Sequence, residues 1–254
     1  MSTRYDHLKV TEVDRIIRNA ENIYNKGQGK QVFPNAKTLQ LLLKIIYHGM
    51  LNVKEAVNIQ KDDIDLNNRQ IILRKTKTGW TKCHCHGQDK NCKNCGGKGR
   101  YQKPEKAIFS SESLWEEIRD YIRTLDGKKF LFENSKTHNA VTRQSIWDIV
   151  TEIAEQSGFS KKIDPKILRN SRAQHLRNSR ILRDSEINQL ARQSKSQISS
   201  YYIPKSEREL LDKEGKANNY LITYCEDCDY KNPDEARYCC ICATKLKENK
   251  SVLL

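Results

Sequence analysis

The chain has 254 residues, 37% hydrophobic and 31% charged, and its 46 Lys and Arg against 32 Asp and Glu give a formal charge of +14. That length holds one sizeable core and a small accessory module. With no apolar run near the roughly 18 residues of a membrane span, no signal-peptide core in the opening MSTRYDHLKV stretch, and too much periodic Leu and Ile for disorder, the composition excludes membrane, secreted and disordered classes.

In chain order, residues 8–24 predict a short helix and 37–48 (KTLQLLLKIIYH) a strongly apolar one. Gly49 interrupts the pattern, which resumes at Val53, Ala56 and Val57. KDDIDLNN reads as a turn and QIILR (70–74) as a strand; after a cysteine-rich insertion, KAIF (106–109) is its match. A β-hairpin carrying a metal knuckle at its tip is therefore expected. Helices follow at 112–124 and 142–156, with FLFEN between them as a short strand or turn. Asp164–Pro165 is an N-cap followed by proline in the first turn, opening a basic helix to about residue 178. Capping boxes stand at Ser194-x-x-Gln197 and Ser206-x-x-Glu209, and the polar stretch 212–222 reads as a linker.

The nine cysteines fall in two groups, at 83–95 and 225–242. Clustering in CxxC pairs fits a reducing compartment and metal sites better than a disulfide framework. Cys225-x2-Cys228 and Cys239-x2-Cys242 supply four thiolates, a closed tetrahedral set with no position left for water, so a structural zinc ribbon is expected. Cys240 is left over. The internal set is Cys83-x-Cys85 and Cys92-x2-Cys95, with His84 or His86 as alternative ligands. Its second half, with Gly97 and Gly99, resembles the CxxCxGxG knuckle of the DnaJ chaperone zinc module. Two structural zinc ions and no catalytic metal are expected.

Residues 161–183 hold eight Lys or Arg and one acid, Asp164. Such a stripe is the footprint of phosphate binding, and Arg172, Arg177 and Arg180 are the candidate DNA contacts. The last 32 residues carry five basic and six acidic groups, so protein is the better partner for the ribbon.

GMLNVKEAVNIQKDDIDLNNRQIIL, the KTKTG hairpin, DPKILRNSRAQHL and LARQSKSQISSYYIP fall in one order. Together they resemble the catalytic domain of tyrosine recombinases, the phage integrase and Xer family, whose segments read GLRVSEL…DID, HxLRHTFATHL and LLGHSS…Y. The resemblance implies a mainly α (α+β) fold, a helical catalytic domain with a small antiparallel sheet, over residues 1–211. Residues 81–103 are its knuckle insertion, and the zinc ribbon occupies 223–247. It implies double-stranded DNA as partner, a homo-oligomer on DNA, no membrane, a cytoplasmic DNA-associated setting and a mobile element of archaeal origin. The helical domain that closes the family's clamp around DNA is expected to be absent.

Carried over by position, Tyr202 is the nucleophile, nine residues after Gln193, with Tyr201 as its rival. Arg169 and Lys166 match the Arg and the His or Lys of the HxLR segment. Lys77, with Lys75 as alternative, matches the hairpin lysine that protonates the leaving 5′-oxygen. Two positions depart. The family's first arginine falls on Asn52, and its last His or Trp falls on Gln193. One guanidinium is therefore missing unless Lys54, Arg74 or another subunit supplies a charge. The resemblance implies strand breakage and rejoining through a 3′-phosphotyrosyl link, or a non-catalytic DNA-binding descendant.

Overall fold

The computed structural model describes residues 7–25, 32–74, 80–102, 104–159, 163–192, 206–221, 225, 227–228, 232 and 236–246. The expected mainly helical fold with small antiparallel sheets is what it shows.

The apolar run near residue 40 becomes α2 (Ala36–His48), capped by Asn35, whose side chain accepts from the Thr38 N–H. Leu39, Leu41, Leu42, Leu43, Ile45 and Ile46 are all buried. Apolar on every side, this helix can only sit in the middle. It packs against α1 (Val10–Asn25), α4 (Glu112–Arg123) and α6 (Pro165–Asn178). At its end a Cβ on Gly49 would come within 2.9 Å of the Ile45 carbonyl, so the tight exit into the next turn requires glycine. The short α3 (Val53–Val57) follows at once.

Strands β1 (Ile64–Asp65), β2 (Gln70–Leu73) and β5 (Glu105–Ile108) form an antiparallel sheet in that order. Gln70 pairs with Ile108 and Leu73 with Glu105, the expected hairpin. Between them β3 (Trp80–Lys82) and β4 (Arg100–Gln102) make a separate ribbon that bears the cysteine loop. Phe109, just past β5, stacks on Trp115 at 4.5 Å, and the indole N–H donates to the Phe109 carbonyl.

Helix α5 (Arg143–Gln156) and α6 complete the core. A second apolar cluster joins Leu176, Leu182, Ile187 and Leu190 to Leu210 and Ala217, tying α6 to α7 (Asp184–Leu190) and α8 (Glu207–Leu221). The linker expected at 212–222 is thus corrected: through Leu221 it is helix. Its polar composition hides a docking face, because Leu210 and Ala217 are buried and Glu214, 1% exposed, is neutralised by Arg172. The Ser206 capping box forms as expected, with Glu209 accepting from the Ser206 N–H at 3.0 Å and Ser206 Oγ from the Glu209 N–H at 3.2 Å. The Ser194 box lies outside the described residues.

Candidate active site

Helix α6 sorts its basic residues by direction. Asp164 caps it, accepting from the Ile167 N–H at 3.1 Å, with Pro165 in the first turn. Lys166 is exposed and Arg169 half-buried. The Arg169 guanidinium donates through Nη2 to the Ala191 carbonyl at 2.7 Å, joining α6 to the end of α7. Arg172 points the other way. It is 1% exposed, and it donates through Nη2 to Glu214 and Asn218 across α8, both at 2.5 Å. Burial would pull its proton affinity down, and Glu214 more than offsets that, so the guanidinium stays charged. Arg172 is therefore corrected from DNA contact to interior ion pair. Arg177 reaches Asp184 at 2.8 Å on the surface, and Arg180 is exposed in the following turn.

Beside Arg172, the Tyr47 hydroxyl lies 2.7 Å from His175 Nδ1, and His175 Nε2 lies 2.7 Å from the Leu8 carbonyl. A carbonyl can only accept, so Nε2 carries the proton and Nδ1 accepts from the tyrosine. Burial drops the His175 pKa to about 3, keeping it neutral.

Asn52 caps α3, the helix that Arg192 reaches through Glu55. Its side chain is consumed by capping: Oδ1 accepts from the Glu55 N–H at 2.9 Å, and Glu55 Oε2 accepts from the Asn52 N–H at 3.0 Å. Lys54 is exposed, and Arg74 pairs with the buried Asp63.

Arg192 is the residue that sequence reasoning passed over. Its side chain is 6% exposed and crosses back onto the turn before Asn52. Nη1 donates to the Gly49 and Leu190 carbonyls, both at 3.0 Å, and Nη2 to the Met50 carbonyl at 2.9 Å and to Glu55 at 3.3 Å. Burial is the largest influence lowering its pKa; Glu55 opposes it and the Arg169 charge adds to the fall. The available signal was its register, immediately before Gln193, where the LLGHSS segment has glycine. Arg192 adopts φ +53° there. Tyr202, Tyr201, Gln193, Lys77 and Lys75 lie outside the described residues.

Both cysteine groups assemble. In each, four sulfurs lie within 4.8 Å of one another: Cys83, Cys85, Cys92 and Cys95, then Cys225, Cys228, Cys239 and Cys242. The sulfur separations of 3.5 Å for Cys83–Cys92, 3.2 Å for Cys85–Cys95, 3.3 Å for Cys225–Cys242 and 3.4 Å for Cys228–Cys239 are too long for disulfides, which bond at about 2.0 Å. A tetrahedral zinc with bonds of about 2.3 Å has edges of about 3.8 Å, so the donor sets fit a four-thiolate ion. His84 lies beside the internal set, its Nδ1 3.7 Å from Cys83 Sγ, but the four thiolates are complete without it.

The mainly helical domain with a small antiparallel sheet has the fold of tyrosine recombinase catalytic domains. Residues 6–208 match the phage integrase family, and the chain belongs to that family. Among curated proteins it is 27% identical over 137 residues to tyrosine recombinase XerD of Mycobacterium tuberculosis, covering 53% of this chain and 38% of that one. It is 25% identical over 146 residues to XerA of Thermococcus kodakarensis, covering 56% and 43%. The chain thus matches less than half the length of either relative. Among solved structures, a XerA recombinase superposes with a TM-score of 0.53 at 16% identity, over 84% of this chain and 60% of that one. A XerH recombinase bound to its difH substrate superposes with a TM-score of 0.52 at 18% identity, over 74% and 47%. Among the described residues no helix is long and apolar enough to cross a membrane.

Proposed function

We propose that this chain binds duplex DNA and breaks and rejoins its strands through a 3′-phosphotyrosyl link made by Tyr202. The phenolic oxygen attacks the phosphorus and gives up its proton, the bond to the 5′-oxygen breaks, and Lys77 protonates that departing oxygen. Arg169, with Lys166 near the same helix start and Gln193 of the following segment, stabilises the charge on the non-bridging oxygens. The observation that carries this reading is Arg169 itself. It is held at the junction of α6 and α7 by the Ala191 carbonyl, two residues before the segment containing Gln193 and Tyr202. Family membership and relatives named recombinases support the same chemistry.

The two four-cysteine sets bind zinc structurally, with no metal in the chemistry. The knuckle spans 81–103 and the ribbon 223–247. The ribbon contacts protein, a reading supported by Tyr238 and Ile241, 58% and 65% exposed. The active form is a homo-oligomer on DNA.

The test is covalent capture on a library of nicked duplexes with a randomised core. Wild type should form an adduct, Tyr202→Phe none, and Tyr201→Phe should retain it. One observation favours a second reading, a DNA-binding descendant without catalysis: Asn52 is committed to a capping box and brings no charge. Tight duplex binding with no adduct from wild type would select that reading.

A further inference from the structure

We infer that Arg192 supplies the second guanidinium of the phosphate site, standing in from the end of α7 for the cation that position 52 lacks. This rests on the strand-breaking reading above and adds a residue to it.

Three observations converge on Arg192. The first is placement. Its head group is tied to the carbonyls of Gly49 and Met50 and to Glu55, the carboxylate that also receives the Asn52 N–H. A guanidinium reaching from residue 192 therefore ends within one bridging oxygen of the Asn52 backbone. Arg169 flanks it from α6, bonded to the carbonyl of the residue just before it.

The second is an unspent donor. Four hydrogen bonds occupy Nη1 and Nη2, yet among the described residues the buried Nε–H has no partner. Buried donors are normally satisfied, and an exception calls for an explanation. A phosphate oxygen arriving between Arg169 and Arg192 would satisfy it.

The third is the cost of keeping arginine there. Its backbone sits at φ +53°, where glycine is relaxed and a long side chain is not. Its charge is buried beside a second cation, and the groups facing it are Arg169, Glu55 and Glu105. The two carboxylates hold two like charges at close quarters before any anion arrives. An always-charged, planar donor suits both the Glu55 carboxylate it already holds and an incoming anion.

Arg192→Gly is the informative variant: glycine takes the same backbone angle, and because Glu55 loses its buried partner, its folding is confirmed by circular dichroism before capture is read. On the nicked duplex captured by wild type, its adduct formation at saturating DNA should fall on the order of 100–1,000-fold, the usual loss for one preorganised donor. Duplex affinity should change by less than about threefold, one contact among many. The double variant Asn52→Arg with Arg192→Gly returns the charge from position 52 and should recover at least about a tenth of wild-type rate. Undiminished capture by Arg192→Gly, or a double variant no better than the single, would overturn the inference. Should wild type capture nothing, the strand-breaking reading fails separately. Orthovanadate, a phosphate mimic, then decides: it should raise the melting temperature of wild type and of the double variant but not of Arg192→Gly. An equal rise in all three would sink the proposal.

Discussion

The helical core and the cysteine modules reach order by opposite means. Around α2 the chain buries a continuous apolar cluster, and even its interior charges are matched, Arg172 by Glu214 and Arg192 by Glu55. Among its described residues, the C-terminal module buries only Cys225, Asn232 and Cys239. Its described residues offer one bridge, Tyr238 to Lys245, a few backbone hydrogen bonds such as Cys239 N–H to the Thr244 carbonyl, and two large apolar side chains facing solvent. The internal knuckle stands between. Its cysteines hang on the β3–β4 ribbon, with the Cys83 N–H bonded to the Gly99 carbonyl at 2.9 Å. Order that burial does not supply must come from coordination.

The largest effect that could break this contrast is metal loss. Four-thiolate zinc in small peptides is worth about 10–16 kcal/mol near neutral pH, more than such a module's own core. Elemental analysis should find two zinc ions per chain, and Cys225→Ser should leave one. In that variant, hydrogen exchange across 225–246 should rise to unfolded rates while protection in α2 and α6 stays unchanged. Cys95→Ser should unravel 83–99 and spare the β2–β5 pairing. A single zinc in wild type would show that the internal knuckle is held by its ribbon alone.

The next effect belongs to the core. Arg172 and Glu214 are each 1% exposed, and removing one partner of a buried pair costs about 3–5 kcal/mol. Glu214→Leu should lower stability by that amount in urea unfolding and free α8. The double variant Arg172→Met with Glu214→Leu should regain most of the loss, since buried pairs are replaceable by apolar groups of similar volume. If the single change costs under about 1 kcal/mol, the pair is solvated and α8 is not docked through it.

These buried charges mark where sequence reading stops. The helices at 36–48, 112–123, 143–156 and 165–178, and the hairpin around the cysteines, were legible because apolar period, caps and CxxC spacing are local signals. What a side chain faces is not local. Arg169 and Arg172 sit three apart on α6 and read alike as basic, yet one bridges to α7 and the other is sealed under α8. The start of α8 at Ser206 was legible, but its continuation past residue 211 was missed for the same reason: DKEGKANNY is polar as a string, and becomes a docking surface only when Glu214 meets Arg172. Arg192 was passed over because its partners, the carbonyls of Gly49 and Met50, are remote in sequence and meet it only in the fold.

A smaller effect separates the two regions by pH. His175 titrates near 6.5 in the unfolded chain and near 3 when buried, so between those values the unfolded state holds the extra proton. Stability is full above about pH 6.5 and falls by about 1.4 kcal/mol for each unit of acid below it. Thiolates also protonate in acid, so both regions weaken, but His175→Gln should flatten only the core's dependence. A slope unchanged in that variant would assign the acid sensitivity to the metal sites.

The smallest effect tests the surface of α6, where a buried and a solvated cation stand on one helix. If duplex DNA lies along this helix, each phosphate neutralised adds about 0.9 to the slope of log affinity against log salt. Arg180 is exposed, with no ion pair among the described residues, and should contribute nearly that much. Arg177 must first leave Asp184, 2.8 Å away, so its share should be smaller. Arg177→Gln with Arg180→Gln should therefore flatten the slope by between about 0.9 and 1.8, with affinity at low salt reduced alike for all sequences. In the Arg172→Met, Glu214→Leu background the slope should not move, because a cation already neutralised inside the protein releases no counterions from DNA. A slope that responds to the buried pair as strongly as to the surface pair would mean that α8 lifts away when DNA binds and exposes Arg172 to the phosphates.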